Sequence, residues 1–489
     1  MTEKKGSLLT YRPDIKVVDA TIRDGGLVND FRFTEEFIKD LYAANVAAGV
    51  DYMEFGYKAS KDIFKPEDFG PWKFCEEDDI RRIVGDNNTD MKLSVMADVG
   101  RCNYKRDILS RSESVIDMVR IATYIHTIPA AIEMIEYCHN LGYETTVNIM
   151  AISTAKESEI TEALSLLSQC PVDVIYIVDS YGSMYMEQVD DLADKYLKMA
   201  EDHGKSVGMH AHNNQQLAFA NTIAALTRGV SYLDSTIGGM GRGAGNTNTE
   251  LVMQFMNRRY NSGYDIDSVL DLIDNYIDGI RNRCEWGYSV PNFLAGSYSA
   301  HVNNIAYLST KAGIASRDIN YLLNRLSATD RKRYDYNLLE KIYMEYLGSF
   351  CDDTKDLASL QQLLDHKDVL ILLPGHTLES HRDEILSYYK EHHPVVISVN
   401  LLSTDYKIDY AYFSNKNRYQ YWKSDAHFSQ YKKIVTSNVT TAPAEDQYLI
   451  DFNRLVKCGW EQLDNSGILL LRLLDILSVG HIAIAGFDG

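Results

Sequence analysis

Eight times in its first half this chain alternates a short apolar run with an amphipathic one, and few folds accommodate that rhythm. Strands are predicted at Ile15–Ile22, Asp51–Tyr57, Lys92–Asp98, Met118–Ala122, Glu144–Met150, Val172–Val178, Ser206–His210 and Tyr232–Ile237. Helices are predicted between them, as at Glu35–Ala48, Ala131–Leu141, Glu157–Leu167, Met186–Ala200 and Leu217–Leu226. Thr34 stands where a helix N-cap belongs, and Gly49 and Gly229 stand where helices stop. Eight such units in roughly 250 residues match the size and count of a (β/α)8 TIM barrel. A doubly wound parallel sheet is the runner-up.

The rhythm changes after this region. Residues 1–259 are read as the barrel domain and 260–355 as a helical extension, with helices at Ile266–Arg281, Leu294–Leu308, Ser316–Leu326 and Tyr336–Leu347. Residues 356–489 are read as a smaller Rossmann-like α/β domain. Its strands are predicted at Asp368–Leu373, Val395–Asn400, Tyr410–Asn415, Lys433–Thr436 and His481–Ala485, with a helix at Gly467–Leu477. The turn Pro374-Gly375-His376-Thr377 after the first of these strands opens a helix, an arrangement that favours a phosphate or carboxylate.

The formal net charge of −20 argues against nucleic acid or an anionic membrane surface as the main partner. Seven cysteines are scattered singly with no CxxC pair, which fits free thiols in a reducing compartment. Residues 1–12 lack the apolar core of a leader, and the apolar run Ile468–Leu477 is interrupted by Arg472 and Asp475. The expected location is the cytoplasm.

The chemistry-bearing residues fall where strands end and βα loops begin, the face at which barrels carry their sites. Arg23 and Asp24 follow the first strand, Glu54 and Tyr57 the second, and Asp179 the sixth. His210 and His212 end the seventh, and Asn246 follows the eighth in a glycine-rich loop. Residues i and i+2 of a strand share a face, so both imidazoles point the same way and suit one metal ion. Asp24, His210, His212 and Asn246 offer one carboxylate, two imidazoles and one amide oxygen. This thiolate-free set suits Mn²⁺ or Mg²⁺, with Co²⁺ and Zn²⁺ as further candidates. It leaves positions for a chelating 2-oxo acid, beside which Arg23 is placed to stabilise an enolate oxygen. Arg23 is equally placed for a salt bridge to Glu54. Tyr57, Tyr181, Tyr288 and Tyr298 are candidate proton-transfer groups among 33 tyrosines.

Three motifs carry a family resemblance. Arg23-Asp24-Gly25, His210-Ala211-His212 and Gly245-Asn246 resemble those of the DRE-TIM metallolyases, the HMG-CoA lyase-like superfamily. Within that group the stretches around residues 178–184, 208–214 and 233–250 are most similar to 4-hydroxy-2-oxovalerate aldolases. The resemblance covers about residues 15–310. It implies Asp24, His210 and His212 as metal ligands, Asn246 as a fourth, Arg23 as the enolate stabiliser and Tyr298 as the tyrosine of the helical region. Where those aldolases carry a histidine soon after the Arg-Asp-Gly motif, this chain reads Gly26-Leu27-Val28-Asn29-Asp30. The cysteine that HMG-CoA lyases carry before Gly-Asn is absent from Gly238–Gly245. The C-terminal part loosely resembles a Rossmann-like domain of glycan-modifying proteins, which implies a nucleotide or sugar-nucleotide ligand there.

The expected function is therefore a divalent-metal-dependent aldolase acting on a 2-oxo acid such as pyruvate, with Arg23, Glu54 and Tyr298 as catalytic residues. The alternatives are a Claisen-type acyltransferase using an acyl-CoA, and a non-catalytic binding protein with a vestigial barrel. A homodimer is the default assembly for such a barrel.

Overall fold

The computed structural model describes residues 12–311, 314–347, 350–440, 444–457 and 465–488. Eight parallel strands close into a barrel: β1 Lys16–Asp19, β2 Tyr52–Tyr57, β3 Lys92–Asp98, β4 Met118–Tyr124, β5 Glu144–Met150, β6 Val174–Asp179, β7 Ser206–Ala211 and β8 Tyr232–Ser235. The ring closes where Val18 of β1 stands opposite Asp234 of β8. The barrel reading holds, and the doubly wound sheet does not describe this region.

Alternation along each strand builds two different cores. Outward positions such as Val17, Met53, Val95, Ile121, Ile149, Ile177 and Met209 are buried against the helices. Inward positions are a mixture. Val18, Tyr52 and Met118 pack together, as do Val174, Tyr176 and Val178, with Tyr232 reaching both groups. Beside these lie the charged side chains of Glu54, Arg120 and Asp234, all wholly buried. Gly208 makes this filling possible, because a Cβ there would sit 2.4 Å from the Tyr176 ring.

The first strand is shorter than its apolar run suggests. It ends at Asp19, and Thr21–Gly25 winds into a helical turn that presents Arg23 and Asp24 at the barrel mouth. Beyond the barrel, the expected helix Leu294–Leu308 is two helices, Val290–Ser297 and Val302–Ser309, parted where Ser299 takes a φ of 47°. The chain groups into two units. One runs to Ser309 and includes Arg331–Tyr334; the other holds Thr310–Asp330 and everything from Asp335.

The second unit carries a parallel six-stranded sheet ordered β13-β12-β11-β10-β9-β14. Its strands are β9 Val369–Leu372, β10 Val395–Val399, β11 Tyr410–Phe413, β12 Lys432–Thr436, β13 Gln447–Ile450 and β14 Ile482–Ala485. Sequence reading missed β13, a four-residue edge strand following a polar stretch. The glycine turn after β9 opens only a four-residue helix, Thr377–Ser380. The Thr377 N–H and hydroxyl both donate to the Asp488 carboxylate, so the chain's own anion takes the donors expected for a ligand. Among the described residues no helix is long and apolar enough to cross a membrane. Six cysteines are free thiols, and Cys458 lies outside the described residues.

Candidate active site

Three of the four expected ligands converge. Asp24, His210 and His212 each offer one ligand atom, and these atoms lie within 4.8 Å of one another. Both imidazoles are oriented from behind. His210 Nδ1 donates to Asp234 Oδ2 at 3.0 Å, and His212 Nδ1 donates to the Asp179 carbonyl at 3.0 Å. A carbonyl only accepts, so Nδ1 of His212 carries the proton and its Nε2 presents a lone pair to the cluster.

The residues fit a divalent cation. His210 Nε2 lies 3.1 Å from Asp24 Oδ2, yet it is a buried atom with no aligned hydrogen bond. Asp24 Oδ1 and Asn246 Oδ1 are likewise buried without a partner among the described residues, while the Asn246 amide nitrogen is spent on the Met240 carbonyl at 3.1 Å. Orphaned buried lone pairs of one chemical kind are costly unless a cation satisfies them. Burial alone would push the Asp24 carboxyl up, but Arg23 and the two imidazoles outweigh it and hold it well below the usual range. Burial brings the His212 imidazole down to about 4, which keeps it neutral as a ligand at pH 7.

Asn246 is delivered by backbone geometry. Gly245 has a φ of 78°, and a Cβ there would fall 2.0 Å from the Gly239 carbonyl. The loop is tied to β7, with the Asn213 N–H on the Gly245 carbonyl and the Thr247 N–H on the Ala211 carbonyl. It is braced from beyond the barrel by Arg281 and Trp286, which both donate to the Gly238 carbonyl. Gly245→Ala is expected to cost more than about 1 kcal/mol of stability and to weaken Mn²⁺ binding. Thermal unfolding and a Mn²⁺ titration followed by electron paramagnetic resonance check the two effects.

Arg23 and Glu54 do meet. Arg23 Nε reaches Glu54 Oε2 at 2.8 Å, and Nη1 reaches Asp24 Oδ2 at 2.7 Å. Among the described residues Nη2 is buried without a partner. Glu54 Oε2 is shared with Arg120 Nη1 at 2.8 Å, and Arg120 Nη2 reaches Asp234 Oδ2 at 2.5 Å. A continuous chain of charge thus runs from Arg23 through Glu54, Arg120 and Asp234 to His210. Sequence reading missed Arg120 and Asp234. A charge inside the apolar strand Met118–Tyr124 was the available signal for Arg120, and the inward register shared with His210 was the signal for Asp234. Asp234→Asn is expected to weaken metal binding about 10- to 100-fold while the fold persists. Isothermal titration with Mn²⁺, with circular dichroism as control, checks it.

A cavity of about 700 Å³ opens above this cluster. Of the four candidate tyrosines, Tyr57 and Tyr181 line it. Burial pushes the Tyr181 hydroxyl up to about 12 and raises that of Tyr57 further. Tyr288 is largely exposed and lines a different cavity. Tyr298 follows the helix Val290–Ser297, with the Arg331 guanidinium 5.2 Å from its ring centre, and is not among the residues lining the cavity.

Four likenesses to known proteins accompany this geometry. The HMGL-like family model matches residues 14–275. The 4-hydroxy-2-oxovalerate aldolase of Pelotomaculum thermopropionicum is 28% identical over 319 residues, 64% of this chain and 91% of that protein. The N-terminal domain of a candidate aldolase from Bacteroides vulgatus superposes with a TM-score of 0.54 at 25% identity, covering 61% of this chain and 97% of that one. The carboxyl transferase domain of Rhizobium etli pyruvate carboxylase shares the fold, with a TM-score of 0.52 at 13% identity over 74% of this chain and 65% of that one.

Proposed function

Because the chain belongs to the HMGL-like family, we propose that it is a divalent-metal-dependent aldolase that makes or breaks a C–C bond of a 2-oxo acid through an enolate. The observation that carries this reading is the buried Asp24, His210 and His212 cluster with the unpartnered Nη2 of Arg23 beside it. Asp24, His210 and His212 would hold the ion, with Asn246 Oδ1 as a fourth ligand. The mixed oxygen and nitrogen set favours Mn²⁺ or Mg²⁺. When bound, the ion supplies Lewis-acid polarisation of the keto group.

The chain's own residues do the rest. Arg23 Nη2 donates to the oxygen on which enolate charge develops, at a site where the donor is already oriented and desolvated. Glu54 and Asp24 fix the Arg23 fork, so Glu54 is a positioning residue. Proton exchange at the aldol hydroxyl is assigned to a tyrosine, with Tyr181 and Tyr57 of the cavity wall ahead of Tyr298. Pyruvate is the simplest 2-oxo acid to test.

For the second unit we propose a nucleotide or sugar-nucleotide ligand, in keeping with a Rossmann-like domain. Support comes from a cavity of about 510 Å³ at the carboxyl ends of its parallel strands, with Asn415, Asn438, Arg325 and Lys416 on its wall.

The test of the catalytic reading is deuterium exchange into the methyl group of pyruvate, followed by NMR. Exchange is expected with Mn²⁺ or Mg²⁺ and lost with EDTA. No exchange while metal is demonstrably bound would overturn pyruvate-enolate chemistry.

A further inference from the structure

The cavity above the cluster is large enough for a ligand well beyond a three-carbon acid, and its wall carries three further basic side chains. Arg242 comes from the glycine-rich loop, and Lys332 and Arg333 from the short segment grouped with the barrel unit. None of the three forms a salt bridge with a carboxylate among the described residues, unlike Arg23 and Arg120 deeper in the barrel. In a chain of net charge −20, uncompensated cations gathered in one concavity are out of character. Such a grouping focuses a positive potential on whatever enters.

The wall's other polar groups do not cancel it. Asp24 belongs to the metal cluster, and Glu159, whose Oε2 accepts from the Lys156 N–H at 2.7 Å, is one carboxylate against three cations. His301 also lines the cavity; burial, with Arg242 and Arg101 nearby, brings it down to about 4, so at neutral pH it is an uncharged hydrogen-bonding group. The carboxylate of the 2-oxo acid does not account for the trio, because the reacting end is served by the metal cluster and Arg23.

We infer that the carbonyl partner of the 2-oxo acid is itself an anion: an aldehyde whose far end carries a phosphate or carboxylate that docks on Arg242, Lys332 and Arg333. The inference rests on the aldolase reading. In the condensing direction the methyl carbon of the 2-oxo acid loses a proton, and the enolate pair forms the new bond to the aldehyde carbon. The aldehyde oxygen takes up a proton, and nothing is oxidised or reduced overall.

Matched aldehydes test it on the Mn²⁺-loaded full chain with pyruvate: glyceraldehyde 3-phosphate against glyceraldehyde, and succinic semialdehyde against butanal. In at least one pair kcat/KM is expected to favour the anionic member by about tenfold to a hundredfold, chiefly through KM. Phosphate preference and carboxylate preference identify which anion the site takes. In Arg242→Gln combined with Lys332→Met, the ratio within that pair is expected to fall at least tenfold. A ratio taken within one preparation is unaffected by partial misfolding. Equal kcat/KM in both pairs, no use of either anionic aldehyde, or a ratio unmoved by the substitutions overturns the inference. Thiol release from acetyl-CoA in place of aldehyde use overturns it as well. Methyl exchange without any aldehyde separates the two levels: exchange without charge preference removes this inference alone, and no exchange removes the aldolase reading with it.

Discussion

Asp24→Asn is expected to lower metal-dependent methyl exchange of pyruvate by about 10²- to 10³-fold. The substitution keeps the shape of the side chain and removes its charge. Three groups lie close to that carboxylate: Arg23 Nη1 at 2.7 Å, His210 Nε2 at 3.1 Å and His212 Nε2 at 3.6 Å. An amide in its place gives the cation a weaker ligand and turns an N–H₂ toward groups that are donors or cation ligands. Lewis-acid stabilisation of a developing oxyanion is worth several kcal/mol, and each 1.36 kcal/mol is tenfold in rate. Arg23 keeps Glu54, so the helical turn Thr21–Gly25 is expected to stay in place. Exchange rates with saturating Mn²⁺, set beside a direct Mn²⁺ binding curve, separate lost affinity from lost chemistry. Full activity in Asp24→Asn would remove this residue from the site.

Arg120→Met is expected to destabilise the protein by about 3–5 kcal/mol. Arg120, Glu54 and Asp234 have side chains with no exposure, and Arg120 is the cation between the two carboxylates. Its guanidinium also stacks 4.5 Å from the Tyr176 ring centre. Removing it leaves buried negative charge beside His210 and Arg23, and breaking a buried pair from one side costs this much because the remaining charge is uncompensated. The combined replacement Arg120→Met, Glu54→Gln and Asp234→Asn is expected to recover part of the loss. Urea unfolding of the single and combined variants checks both statements. The same network sets an acid limit. Burial would raise Asp234, but Arg120 and His210 bring it down to about 2. A carboxyl depressed on folding stabilises above its unfolded pKa, so this contribution is present above about pH 4 and lost as pH falls toward 2.

The legible part of the site was the part written in adjacent or alternating residues. His210 and His212 announce a shared face by their spacing, and Arg23-Asp24 stands next to a strand end. The barrel was legible because each outward strand position must be apolar to meet a helix, which repeats one pattern eight times. What stayed hidden depends on closure. Arg120 and Asp234 are 114 residues apart, and only the barrel interior brings them together. The basic wall was hidden for the same reason, since Arg242 and Lys332 share a cavity through the path of the chain and not through any local motif. The turn at Pro374–Thr377 looked like an anion site, and it is one, but its anion is Asp488. No local rule foretells a partner contributed 111 residues later.

The return of Arg331–Tyr334 to the barrel unit has a consequence for anyone wishing to produce that unit alone. A fragment ended at Ser309 discards Lys332 and Arg333, along with the Arg331 carbonyl that accepts from the Asn304 amide and the His301 N–H. A fragment ended at Tyr334 keeps them but carries Thr310–Asp330 as a passenger. The helix Ser316–Arg325 in that passenger buries Tyr321, Leu322 and Leu323, and Tyr346, whose ring centre lies 5.2 Å from that of Tyr321, would be missing. Its apolar face would then meet water or another copy, the usual route to a sticky preparation. A workable minimal enzyme therefore calls for a redesigned bridge between Ser309 and Arg331, not a simple stop codon.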